Sequence, residues 1–64
     1  MQNLKQWMAS QNLTQERLAE KLGVTQGAVS HWLVGRARPS LDVLLDLEEV
    51  TGLTLHQLLD KDDA

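Results

Sequence analysis

The chain has 64 residues with a net charge of −3 and is 42% hydrophobic, so it is one small packed domain and not a disordered segment. It contains no Cys and only two His, His31 and His56, which removes disulfides, thiolate metal sites and a cysteine nucleophile. A chain this short buries only about 60% of the surface its unfolded form exposes, which leaves little room for a deep catalytic cavity. No apolar run approaches the roughly 18 residues a membrane span requires. The start, MQNLKQWMAS, lacks the charged and apolar regions of a secretory signal, so the expectation is a cytoplasmic protein without membrane contact.

Taken in chain order, the pattern predicts an all-α, compact five-helix domain over residues 1–64. Helix one runs from Gln2 or Asn3 to Ser10, with Leu4, Trp7 and Met8 as its i, i+3, i+4 stripe. Asn12 takes the left-handed stop. Helix two follows Thr14 as N-cap and runs to about Leu22, with Leu18, Ala19 and Leu22 inward and Gly23 ending it. Helix three follows Thr25 and covers Gln26 to Val34, with Val29, Trp32 and Leu33 inward and Gly35 ending it. Arg36-Ala37-Arg38-Pro39 is a basic loop. Ser40 caps helix four, Leu41 to about Thr51, and Gly52 stops it. Thr54 and Gln57 form a capping box for a short helix five, Leu55 to about Leu59. Residues 60–64 read as a frayed acidic tail.

Charge is unevenly distributed. Residues 1–38 hold Lys5, Arg17, Lys21, Arg36 and Arg38 against Glu16 and Glu20, a balance of +3. Residues 39–64 hold Lys61 against Asp42, Asp46, Glu48, Glu49, Asp60, Asp62 and Asp63, a balance of −6. Such a split fits a basic working face with an acidic back, and it equally fits a generic solvated surface.

The central stretch LTQERLAEKLGVTQGAVSHWLVG places two short helices around the turn Gly23-Val24-Thr25, the geometry of a helix-turn-helix over residues 14–34. The small Ala19 lets the helices approach, Val24 fills the turn, and Val29 docks the second helix on the first. The LTQ start, the L-A-x-x-L-G-V centre, the T-Q-x-x-V-S-x-W helix, the G-R-x-x-P-S-L exit and the closing T-G-L-T-L-x-x-L-L together resemble the phage repressor and Cro family. The resemblance covers about Leu4 to Leu59. It implies a lambda-repressor-like DNA-binding fold, usually a homodimer on a pseudo-palindromic operator in double-stranded DNA.

With Val29, Trp32 and Leu33 inward, helix three leaves Gln26, Gly27, Ser30 and His31 facing out. Gln pairs bidentately with adenine, and Ser and His can reach base edges or phosphate. The family's recognition helix meets bases at these positions, so the four are the expected base contacts. Gly27 admits two readings: close approach of backbone to DNA, or a cheap glycine in a fraying first turn. Gln15 resembles the family's phosphate-binding Gln at a helix N-terminus. Thr25, Lys21, Arg36 and Arg38 complete the expected phosphate contacts, although Thr14 and Thr25 read first as caps. Arg17 reads as solvated, and Lys21 as either solvated or phosphate-bound.

Four positions depart from the family pattern. Met8 and Leu33 stand where many members carry an Arg–Glu ion pair, so the two are expected to meet in the core as an apolar replacement. Val34 replaces a common polar residue, which puts a phosphate contact there in doubt. Glu48 stands where a small Ala is usual, and is expected at an edge near a basic side chain. Helix four is also broadly apolar: Leu41, Val43, Leu44, Leu45, Leu47 and Val50 cover about 220°, against the stripe of a little over 100° that an ordinary surface helix needs. The surplus predicts a dimer interface, with Val34, Val43, Leu47 and Val50 as candidates.

The leading reading is a sequence-specific transcriptional repressor without cofactor, metal or small-molecule substrate. An alternative is an antitoxin-like protein-binding module that also controls its own promoter. An enzyme is disfavoured, because Ser30 and His31 point about 100° apart on a helix, and no His-x-x-x-His, phosphate loop or Cys cluster exists.

Overall fold

In the computed structural model, which describes residues 1–61, the chain folds into five α-helices: α1 (Gln2–Ser10), α2 (Gln15–Leu22), α3 (Gln26–Val34), α4 (Leu41–Thr51) and α5 (Leu55–Leu58). No strand occurs among the described residues, and no helix there is long and apolar enough to cross a membrane. The helices share one core, made of Leu4 and Met8 from α1, Leu18 and Ala19 from α2, Val29, Trp32 and Leu33 from α3, Leu44 and Leu47 from α4, and Leu58 from α5. Met8 and Leu33 are both buried in it, as an apolar pair requires.

Local chemistry sets the helix ends. Thr14, Thr25, Ser40 and Thr54 each sit in extended backbone, and the side chain of each accepts the amide of the third residue of its helix. At Thr54 the reciprocal bond is present too: the Thr54 N–H donates to Gln57 Oε1 at 2.9 Å. After α2 and α3 the chain turns through Gly23 (φ 71°) and Gly35 (φ 83°). There the next amides, Val24 N–H and Arg36 N–H, donate back to Ala19 O at 3.0 Å and His31 O at 2.9 Å. Asn12 closes α1 with φ 54°.

Two caps come from distant sequence. No side chain next to α1 caps it, and its first amides are taken by Asp60. The Asp60 carboxylate accepts Gln2 N–H at 2.8 Å and Asn3 N–H at 2.9 Å, and lies 3.4 Å from the N-terminal ammonium. Asp60 is therefore tied down rather than frayed. Its backbone adopts φ 60°, and Lys61 N–H donates to His56 O at 2.7 Å. The remaining tail, 62–64, lies outside the described residues. Burial pushes the Asp60 carboxyl up, but the amides of Asn3 and Gln2 and the ammonium outweigh it, and the net shift is below the ordinary carboxylate value. The second distant cap is Glu48. Its Oε2 accepts Leu55 N–H at 3.0 Å, so its partner is the first amide of α5 and not a basic side chain.

Helix α4 corrects one further expectation. Leu47 is fully buried, so it belongs to the core and cannot form a dimer contact. Leu44 is buried with it, and Val43 and Val50 pack partly buried against the cluster. The core thus occupies the Val50-to-Leu44 side of the apolar arc. Leu41 and Leu45, on the other edge, are 63% and 45% exposed.

Two outcomes are expected. Leu47→Ala lowers unfolding free energy by about 2–5 kcal/mol, as a core truncation does. Chemical denaturation at several protein concentrations checks this, because a loss confined to a dimer would depend on concentration. For Asp60, the lowered folded-state pKa makes its stabilisation fully present above the unfolded value of 3.8 and removes it as pH falls through the folded value. Asp60→Asn is expected to be less stable than the parent at pH 7, with the gap closing toward pH 3 in urea titrations.

Candidate nucleic-acid interface

Helices α2 and α3 pack on each other more extensively than any other pair. Leu18 and Val29 are fully buried there, and Ala19 is 4% exposed, small enough for close approach. Val24 packs against the same cluster from the turn. Once Val29, Trp32 and Leu33 are committed to the core, the 3.6-residue repeat turns positions 26, 27, 30 and 31 away from it. Gln26, Gly27 and His31 are exposed, and Ser30 is half-buried beside them. These four share one face of α3 and present an amide, a bare backbone, a hydroxyl and an imidazole.

The expected phosphate contacts sit around that face in sequence and on different elements. Gln15 is the first residue of α2 and half-buried. Thr25 is exposed and uses its Oγ1 to accept Ala28 N–H at 3.1 Å, which makes it the cap of α3 whatever else its hydroxyl does. Lys21 is exposed in the last turn of α2, and Arg36 and Arg38 are exposed in the loop after α3. Among the described residues, none of Arg17, Lys21, Arg36 and Arg38 is held in an ion pair; the carboxylate pairing found there is that of Asp60 with the chain's own N-terminus. Unpaired surface cations keep their full charge available to an incoming anion. Arg38 and the Asp60 cap both line one cleft, with Met1, Trp32, Gly35, Ala37 and Leu59.

The acidic residues of α4 lie elsewhere. Asp42, Asp46 and Glu49 are exposed on the side of α4 away from its buried leucines. No group of His, Asp or Glu that could hold a metal ion occurs among the described residues. What the sequence pattern missed is the exposed pair Leu41 and Leu45. The width of the apolar arc signalled surplus, but nothing local tells which edge of the arc the core leaves uncovered.

Comparison with known proteins places the fold in a family. Residues 4–58 match the helix-turn-helix family model. The chain is 36% identical over 58 residues to the HTH-type transcriptional activator BcrR of Enterococcus faecalis, covering 91% of this chain and 28% of that protein. It is 31% identical to the uncharacterized HTH-type transcriptional regulator YqaE of Bacillus subtilis, covering 91% of this chain and 50% of the relative. A prophage-derived uncharacterized regulator of the same organism, YonR, is also 31% identical, with 91% and 54% covered. The chain thus spans between about a quarter and about half of the length of these relatives. No solved structure matches. With the family model spanning nearly all of its five helices, the chain belongs to the helix-turn-helix family.

Proposed function

We propose that the protein is a sequence-specific double-stranded DNA-binding regulator of transcription. The observation that carries this reading is the exposed α3 face, Gln26, Gly27, Ser30 and His31, held outward by a fully packed reverse side. In the proposed complex α3 enters the major groove, with Gln26 and His31 reading base edges and Ser30 contacting a base or phosphate. Gln15, Thr25, Lys21, Arg36 and Arg38 meet the backbone phosphates and supply affinity. The acidic face of α4 turns from the DNA and restrains non-specific binding. Such a protein works in the cytoplasm, on chromosomal or phage DNA, without a cofactor.

We further read it as a phage-type repressor acting as a homodimer on a pseudo-palindromic operator. Repression needs only occupancy of a site that polymerase must use, and one relative carries a prophage-derived name. Another is named an activator, and occupancy activates where the site lies beside the promoter instead of across it. A dimer would place two copies of α3 about 34 Å apart, one turn of duplex. Val34 is 68% exposed, and with Leu41 and Leu45 it forms the set of large apolar side chains exposed among the described residues. That set replaces the sequence-based interface: Leu47 is buried, and Val43 and Val50 pack against the core on the opposite edge of the α4 arc.

The test is selection from a random duplex pool followed by titration of variants. An inverted repeat with half-sites about ten base pairs apart is expected. Gln26→Ala should weaken binding to it by about 1–3 kcal/mol and relax one base position, whereas Lys21→Ala should weaken all sequences alike and reduce the salt slope by about one. Unchanged base preference in Gln26→Ala would remove Gln26 from the reading set. For the dimer, sedimentation of the Leu41→Ser, Leu45→Ser double variant should show a shift toward monomer. A parent chain that is monomeric both free and on DNA would contradict the dimer.

A further inference from the structure

We infer that Gly27 is the point at which duplex DNA comes closest to the backbone of α3, and that the site uses the absence of its side chain. The inference rests on the DNA-binding reading above and adds a steric requirement to it. The chain has four glycines. Gly23, Gly35 and Gly52 have φ between 71° and 83° and end helices, a conformation that L side chains rarely adopt. Gly27 is different in kind. It is the second residue of α3, with ordinary helical backbone, two positions beyond a cap that Thr25 already supplies.

Nothing inside the protein asks for glycine at that position. A Cβ built on Gly27 would meet only Thr25 Oγ1, at 3.9 Å, an ordinary van der Waals contact. The residue is exposed, so no packing neighbour excludes a larger side chain. Alanine is the better helix former, so glycine here weakens α3 without any internal return. A use for the missing side chain then lies outside the chain, and the position says where. Gly27 follows Gln26 directly and precedes Ser30 and His31 by one helical turn, in the middle of the outward face. A bare backbone there lets a duplex surface rest against Cα, while Gln26 and His31 extend past it on either side. A methyl at Gly27 would hold that surface away and pull the flanking side chains out of hydrogen-bond range. The contacting surface is a base edge, including a thymine methyl, or the sugar-phosphate strand; both demand the same clearance.

The test is a size series, Gly27→Ala and Gly27→Val, in the full chain, with melting temperature and affinity for the selected duplex measured together. Gly27→Ala is expected to melt higher than the parent by about 2–6 °C, because it adds helix propensity at no steric cost. The same variant is expected to bind at least tenfold more weakly, and Gly27→Val more weakly still. Loss of discrimination at one operator position would place a base edge against Gly27; uniform loss with a changed salt slope would place a phosphate there, and either supports the inference. Parent-like affinity in both variants would overturn it while leaving the DNA-binding reading standing. A Gly27→Ala variant that melts lower than the parent would overturn it too, because glycine would then serve the fold. If the parent enriches no duplex sequence, the DNA-binding reading fails first, and the inference falls with it.

Discussion

The packing of α2 against α3 is the constraint on which the rest of the structure depends. Ala19 is small enough to bring the helices together, and Leu18 and Val29 are removed entirely from solvent between them. Gly23 turns the chain with φ 71°, and Val24 follows it with an amide bonded back to Ala19 O. A helix has one angular freedom once its axis is set, and the burial of Val29, Trp32 and Leu33 removes it. The outward face of α3 is therefore determined by residues buried in the core. Core and candidate site are two sides of one helix, and a change that rotates α3 in the core would also re-aim Gln26 and His31.

A domain this small has little core to spend on holding short helices in place. Its helices run from 4 to 11 residues, lengths at which an isolated helix in water is marginal. The ends carry much of the burden. Hydroxyl caps hold four helices from within their own sequence, and carboxylates from elsewhere complete the set. Asp60 closes α1 across a separation of 58 residues, and Glu48 reaches from α4 to the first amide of α5. These two bonds tie the N-terminal helix to the C-terminal end and α5 to α4. Loosening either end therefore disturbs both, and the domain is expected to unfold as a unit.

Features whose physics is local were legible in the sequence. Thr14, Thr25, Ser40 and Thr54 announce helix starts because a cap bonds two or three residues ahead. Gly23, Gly35 and Gly52 announce stops because positive φ excludes most other residues. The outward face of α3 was legible by elimination, since three apolar residues at helical spacing fix where the others point. What depends on neighbours in space was not legible. Asp60 looked like part of a solvated tail, because nothing near it in sequence shows that α1 lacks a cap. Glu48 was expected near a cation, and its partner is an amide. Leu47 and Leu41 lie in one apolar arc, and only the position of the other helices decides that Leu47 is covered and Leu41 is not.

The charge pattern gains its meaning from the same geometry. Of the cations of the N-terminal half, Arg17 and Lys21 lie on α2, Arg36 and Arg38 in the loop after α3, and Lys5 apart on α1; none is in an ion pair among the described residues, while Asp42, Asp46 and Glu49 occupy an exposed face of α4. In the complex proposed above, the α2–α3 pair presents one face to duplex DNA and α4 turns its acids away. Backbone amide chemical-shift mapping, with the selected duplex titrated into labelled protein, tests that most directly. Large shifts are expected at residues 15, 25–27, 30–31 and 36–38, with residues 42, 46 and 49 unmoved. Shifts concentrated on α4, with 26–31 silent, would contradict it.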